Sequence, residues 1–196
     1  KRREKGGKKE GKRREKGGTK GGGKEGKRRG EEGEKEGIWE YWYNNGKSRK
    51  LVAYERGLLN GPSKAWLRDG TLSFEGDYKE GKLNGYCTWY FENGNKEMEG
   101  NMVMEKHNGS WTFYYENGNV KCEGSYKNGN GEKIDRELGN PKDGMVGKWT
   151  LWYENGQKKV ETTLKNGEPD EKFTGWYENG QKMGEGISKD GKQDGL

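Results

Sequence analysis

Between residues 38 and 180, large apolar side chains occupy every second position of short segments that end in Asn-Gly. These segments read IWEYWYNNG, SWTFYYENG, KWTLWYENG and KFTGWYENG. An alternation with a period of two is typical of a β-strand that buries one of its faces. Glycine recurs too often for a helix in this part of the chain. The pattern therefore predicts an all-β structure.

Three columns of aromatic and aliphatic residues are predicted to share the buried face. They are Trp39, Trp111, Trp149 and Phe173, then Tyr41, Trp89, Phe113 and Leu151, and then Tyr43, Phe91, Tyr115, Tyr153 and Tyr177. The segment after each Asn-Gly, for example NVKCEGSYKNG, alternates in the same way. Asn-Gly and Asp-Gly supply the positive φ angles of a tight type I′ turn, so each pair of segments is predicted to form a β-hairpin.

The hairpins recur with a fixed period of 24 residues. Gly46, Gly70, Gly94 and Gly118 are each 24 residues apart, as are Gly156 and Gly180. The one longer interval exceeds a period by 14 residues, which predicts an insertion at about residues 130–143. We therefore expect an elongated single-layer antiparallel meander of tandem 24-residue β-hairpin repeats. The recurrent glycines are expected to let aromatic rings lie over bare backbone.

The unit GxWxxYYENGxxKxEGxYKNG resembles the MORN repeat variant of bacterial proteins often labelled YwqK-like antitoxins. The resemblance covers residues 37–196. It implies β-hairpin units without catalytic residues, in a family whose proteins serve as membrane-proximal or protein–protein scaffolds. The chain departs from the pattern at the 14-residue insertion, at Glu105 where a glycine is expected, and in its weak first and last units.

Charge separates residues 1–37 from the repeat body, residues 38–196. The first segment contains only Lys, Arg, Glu, Gly and one Thr and carries a net charge of +8, whereas the rest carries −2. Such a segment is typical of a basic tail that contacts acidic partners. However, Gly22, Gly33 and Gly37 lie 24 residues before Gly46, Gly57 and Gly61. Degenerate further repeats are therefore the alternative interpretation.

Residues that could support catalysis are sparse. His107 is the only histidine and is predicted to be a solvated turn residue, while Cys87 and Cys122 are predicted to be packing residues. Repeated acidic residues before the turns are interpreted as turn chemistry at a solvated edge: Glu92, Glu116, Glu154 and Glu178. We therefore predict no enzyme activity, no catalytic residue, no cofactor, no metal site and no small-molecule substrate.

A second aromatic column lies one residue after the middle buried column and should face the other side of the sheet. It consists of Trp42, Trp66, Tyr90, Tyr114, Trp152 and Trp176. One interpretation is cross-strand packing that stiffens the sheet. The other is a binding ladder, flanked by charge, for an extended peptide, a glycan chain or another sheet.

The leading functional hypothesis is a non-catalytic repeat scaffold for protein–protein interaction, including as a subunit of a larger assembly. One alternative is binding of an acidic polymer or a membrane surface through residues 1–37. Another is an antitoxin-like role, which the resemblance suggests. The net −2 charge of the repeat body disfavours nucleic acid as its partner. The resemblance favours a bacterial protein, and we expect the cell envelope rather than the cytoplasm.

Overall fold

The computed structural model describes residues 34–131, 141–189 and 192–193, and all of their regular structure is β. None of these residues forms a helix of the length and apolarity needed to cross a membrane. The strands are β1 (Gly37–Trp42), β2 (Ser48–Glu55), β3 (Leu58–Trp66), β4 (Leu72–Lys79), β5 (Lys82–Leu83), β6 (Gly85–Tyr90), β7 (Lys96–Val103), β8 (Lys106–Tyr114), β9 (Val120–Gly129), β10 (Met145–Trp152), β11 (Lys158–Lys165), β12 (Glu168–Trp176), β13 (Lys182–Lys189) and β14 (Lys192–Gln193).

All of these strands belong to one antiparallel sheet in which spatial order follows chain order. Strand β5 lies off the main path and pairs only with β4. The predicted fold class, a single-layer antiparallel meander of β-hairpins, is confirmed.

The core lies on one face of the sheet, where tryptophan rings cover glycines. Trp111 and Trp149 are fully buried although only one layer of strands exists. A Cβ atom built on Gly100 would lie 2.3 Å from Cδ2 of Trp111, and one on Gly124 would lie 2.1 Å from Cδ2 of Trp149. The prediction that rings lie over bare backbone is therefore confirmed. Each indole fills the space that a side chain on the preceding strand would need.

The aromatic rings of this core face are buried most deeply in the middle of the array. The buried cluster contains Cys87, Met102, Trp111, Phe113, Cys122, Tyr126, Met145, Trp149 and Leu164. Towards the ends, Trp39 and Phe173 of the same face are only half-buried. A repeat buries its core face against both neighbours, so the outer repeats lack half of that contact.

The Asn-Gly turns differ from the predicted type I′ geometry. In the first of them the Gly46 N–H donates to the Tyr43 carbonyl at 2.9 Å, and the Tyr43 N–H donates to the Lys47 carbonyl at 2.8 Å. Gly46 alone has a positive φ, of 84°. This is a three-residue loop, a type I turn closed by a left-handed glycine, so the type I′ prediction is wrong here.

Type I′ turns occur instead at the opposite edge of the sheet. There both central residues have positive φ angles, as in Arg56 (49°) with Gly57 (78°) and Asn166 (51°) with Gly167 (81°). An Asn-Gly pair is compatible with both loop lengths, and the residues around it decide which one forms.

Each aromatic strand shifts its register by one residue at its end. The shifts lie between Tyr41 and Trp42, Ala65 and Trp66, Trp89 and Tyr90, Phe113 and Tyr114, Leu151 and Trp152, and Gly175 and Trp176. A bulge of this kind increases local twist and redirects a side chain. In every case the residue after the shift belongs to the second aromatic column.

Two predictions fall partly outside the described residues. Residues 1–33, most of the basic segment, are not described, nor are residues 132–140 of the insertion. On either side of the insertion, the Tyr126 hydroxyl donates to the Pro141 carbonyl at 2.6 Å and the Lys127 N–H donates to the Gly144 carbonyl at 2.8 Å. Strands β9 and β10 then pair directly, with Tyr126 opposite Met145.

Candidate docking face

The second aromatic column lies on the face opposite the core, which we call the ladder face. Its members are Trp42, Trp66, Tyr90, Tyr114, Trp152 and Trp176, and all are half-buried. Two of them are tied to the strand pair before them. The Tyr90 hydroxyl donates to Glu75 Oε1 at 2.6 Å, and the Tyr114 hydroxyl donates to Glu99 Oε1 at 2.5 Å. These rings therefore lean over the preceding strand.

The core face helps to position this column. The hydroxyl of Tyr43 donates to the backbone carbonyl of Trp66 at 2.7 Å, and the hydroxyl of Tyr153 donates to that of Trp176 at 2.9 Å. Turn asparagines make similar links, as where Asn45 Nδ2 donates to the Arg68 carbonyl at 2.8 Å. Consecutive aromatic strands are thus held in register at the edge where the ladder residues lie.

An uninterrupted row of register partners crosses the ladder face beside the aromatic column. It runs through Glu40, Leu51, Lys64, Glu75, Thr88, Glu99, Thr112, Glu123, Thr150, Glu161, Thr174 and Glu185. From Glu75 onward, glutamate and threonine alternate strictly. Sequence reasoning missed this row as a unit. Its signals were the Thr of the WT and FT pairs at Thr112, Thr150 and Thr174 and the Glu of the EG pairs at Glu75, Glu99, Glu123 and Glu185.

Lysines pair with the glutamates of this row. Glu161 is bridged by Lys148 at 3.2 Å and by Lys158 at 3.0 Å, and Glu185 has an equivalent pair of lysines. Hydrogen bonds from Lys182 and Lys172 lower the pKa of Glu185 to about 2. The carboxylates therefore stay charged at neutral pH.

The pKa values of the ladder tyrosines are shifted upwards, opposite to those of the glutamates. Burial, reinforced by the hydrogen bond to Glu75, raises the pKa of Tyr90 to about 12. Burial alone would raise the pKa of Glu99, but hydrogen bonds from Lys96 and Tyr114 hold it below its usual range. The tyrosine hydroxyls therefore remain donors whose acceptors are already fixed.

The outer layer of the ladder face consists of ammonium groups and rings. In each ion pair of this face the lysine is more exposed than its glutamate, for example 46% against 12% for Lys96 and Glu99 and 65% against 29% for Lys148 and Glu161. Lys158 Nζ lies 5.6 Å from the ring centre of Trp176. A shallow open groove of about 390 Å³ follows this face near Tyr90.

The cysteines and the turn glutamates lie where the sequence predicted them. Cys87 and Cys122 are fully buried in the core cluster, which confirms that they are packing residues. Among the described residues no group of His, Cys, Asp and Glu side chains could hold a metal ion. The turn glutamates Glu92, Glu116, Glu154 and Glu178 are exposed, as predicted, and the backbone carbonyls of the last three accept hydrogen bonds from turn asparagines.

His107 is not the solvated turn residue that the sequence suggested. It belongs to β8, and its ring centre lies 4.4 Å from that of Trp111 and 5.2 Å from that of Tyr126. The turn before it is formed by Met104 and Glu105, so His107 lies in the strand that follows the turn. The alternation that placed Trp111 in the core also places His107 there, so the strand pattern, extended backwards, could have located it.

Comparison with protein families supports the repeat assignment. The family model described as MORN repeat variant matches residues 35–55, 83–103, 108–128 and 145–166. No curated protein matches the chain significantly. Each matched segment covers most of one hairpin, which consists of an aromatic strand and the strand that follows it. The unmatched pairs β3–β4 and β12–β13 form the same kind of antiparallel hairpin. The chain from residue 35 to residue 166 therefore belongs to the MORN repeat variant family, as the phased columns of its sequence indicate.

Proposed function

We propose that this protein is a non-catalytic scaffold that binds partner proteins through its ladder face. The observation that carries the proposal is the regular presentation of half-buried rings beside exposed ammonium groups on a face opposite the core. Aromatic rings joined to satisfied polar groups are the composition of many binding surfaces. A repeat sheet holds such groups at fixed intervals over a long surface.

Ladder residues are less buried than core residues and contribute less to the packing of the sheet. Trp149 is completely buried, whereas Trp152 on the same strand keeps part of its ring in solvent. The bulge in the strand opposite each ladder residue costs regular pairing, and bulges are over-represented beside functional sites. An interaction role accounts for both features together.

Site-specific photo-crosslinking tests the proposal. A photoreactive phenylalanine analogue replaces Tyr90 or Trp152 on the ladder face. The matched control carries it at Tyr177, an aromatic residue of the core-face column that is 51% exposed at the turn edge. Each protein is irradiated in an extract of its source cells, and adducts are identified by mass spectrometry.

The proposal predicts the same protein adduct from both ladder positions and its absence from the Tyr177 control. Excess unlabelled wild-type chain should suppress the adduct, and a chain with Trp152→Ala and Trp176→Ala should not. Equal adducts from all three positions, or none from the ladder positions, would contradict the proposal.

A further inference from the structure

We infer that the C-terminal half of the ladder face docks an acidic, proline-rich segment of a partner protein in the polyproline II conformation. This inference rests on the proposed function and names the chemistry of the partner. The site, which we call the C-terminal ladder site, consists of Trp152, Trp176, Lys148, Lys158, Lys172 and Lys182 on β10 to β13.

Charge is the first argument. In this half of the face each row glutamate is bridged by two lysines, so two clusters of two ammonium groups and one carboxylate follow each other one repeat apart. The ammonium groups lie outermost: the four lysine side chains are 48–66% exposed. Such a surface attracts a partner with acidic side chains.

Hydrogen-bonding capacity is the second argument. Oε2 of Glu161 and Oε2 of Glu185 are each engaged by two lysines, so the ammonium donors of the site outnumber its carboxylates by two to one. A proline has no N–H and presents only carbonyl acceptors and an apolar ring. A proline-rich segment therefore brings few N–H donors that need an acceptor at the site. Sugar hydroxyls, in contrast, would each bring a donor that competes with the lysines for the two carboxylates.

Spacing is the third argument. Trp152 and Trp176 lie on strands two apart in the sheet, which places them about 10 Å from each other at a strand spacing of about 4.8 Å. A polyproline II helix advances about 9.3 Å in three residues and returns the same face to the surface at each third residue. An extended β-strand reverses its face over three residues, so its side chains would miss every second ring.

A lysine opposite each ring supports a partner segment that carries acidic residues at regular intervals. Lys158 pairs in register with Trp152 and also lies over Trp176, so it joins the two rings. Lys182 holds the equivalent register position opposite Trp176. A segment in which an acidic residue recurs every third position would place a carboxylate beside each of these ammonium groups. Aromatic-lined grooves recognise preformed polyproline II segments in the same manner.

Peptide titration monitored by tryptophan fluorescence and isothermal calorimetry tests the inference. The probe is a synthetic peptide of four copies of Pro-Pro-Glu. Four copies of Gly-Ser-Glu carry the same charge without the conformation, four copies of Pro-Pro-Lys reverse the charge, and polygalacturonate represents an anionic glycan. We expect binding of the Pro-Pro-Glu peptide alone.

Variants locate the site. Trp176→Ala and the pair Lys158→Gln with Lys182→Gln should each weaken binding of the Pro-Pro-Glu peptide roughly tenfold or more. The control is Lys159→Gln, which removes one lysine charge beside Lys158, at a position where the ammonium group lies 5.7 Å from the ring centre of Tyr153. It should bind like the wild type. The lysine variants keep the test valid if Trp176→Ala fails to fold.

Equal binding of the Gly-Ser-Glu peptide, preference for polygalacturonate, or no binding of any probe would overturn the inference. Loss of binding in Lys159→Gln equal to that in the site variants would also overturn it. The proposed function fails separately, because the crosslinking experiment detects any protein on the ladder face. A face-specific adduct without Pro-Pro-Glu binding refutes only the partner chemistry.

Discussion

At Gly124 the absence of a side chain allows the indole of Trp149 to lie directly on the backbone. Substitution Gly124→Ala would place a methyl group 2.1 Å from Cδ2 of that ring, where neither group can move freely. We expect a loss of about 1–3 kcal/mol in the free energy of unfolding, measured by urea denaturation. Gly184→Ala is the control, because a Cβ atom there would meet nothing within 4 Å. An equal loss in both variants would contradict this packing.

The burial of His107 predicts that the free energy of unfolding depends on pH through this single residue. Burial lowers its pKa below the ordinary value of 6.5, although a hydrogen bond to the Gly129 carbonyl and the charge of Asp143 oppose this effect. The unfolded chain therefore binds a proton more readily than the folded chain, so stability present above pH 6.5 is lost as pH falls towards the folded pKa.

The measurement compares the wild type with His107→Phe between about pH 7.5 and pH 5.5. The wild type should lose stability over this range, while the variant, which retains an aromatic ring beside Trp111, should lose less. Parallel pH profiles would show that His107 does not titrate as a buried group.

At the scale of the hairpin, the two edges of the sheet use different turns. The alternation of apolar and polar residues was sufficient to predict the strands and their two faces, because a period of two assigns every side chain to a face. It was insufficient for the Asn-Gly turns, since one extra loop residue changes the turn type without changing the dipeptide. The register shifts before the ladder residues do not change the length of the repeat, so the period could not reveal them.

Glu105 makes the turn chemistry testable. It occupies the second position of a type I′ turn with a φ of 68°, where the equivalent turns have Gly57, Gly81 and Gly167. A left-handed conformation is costly for a residue with a Cβ atom. We expect Glu105→Gly to raise the free energy of unfolding by about 0.5–1 kcal/mol.

The reverse substitution, Gly81→Glu at φ 82°, should lower stability by a comparable amount in the same urea titration. If Glu105→Gly destabilises the protein, the assigned turn geometry is wrong.

At the scale of the whole molecule, burial predicts a gradient of stability along the array. Strands β8 to β10 contain the fully buried Trp111 and Trp149, whereas the equivalent residues of the outer strands, Trp39 and Phe173, are only half-buried. Opening in repeat proteins starts where a repeat lacks a neighbour. We expect backbone amides of β8–β10 to exchange slowest in hydrogen–deuterium exchange mass spectrometry and those of β1 and β13 fastest. Uniform protection along the array would contradict this expectation.

Only part of the ladder face could be predicted from the sequence. The positions of Trp152 and Trp176 follow from the repeat, and so does their separation from the core column. The alternating glutamate–threonine row and its doubled lysines do not, because Lys148 and Lys158 meet at Glu161 only after strand pairing is fixed. Chemistry that is assembled across strands depends on the register of the pairing, and the bulges that shift this register are not visible in the repeat length.

The central claim is that the two aromatic columns have different roles, one holding the fold and the other available for binding. Trp149 and Trp152 test it most directly, because they are the same residue type on one strand and face opposite sides. Urea denaturation should show that Trp149→Ala loses about 3–5 kcal/mol or fails to fold. Trp152→Ala should lose only about 1 kcal/mol. Equal losses would mean that the ladder is part of the structural framework and would contradict the assignment of a docking face.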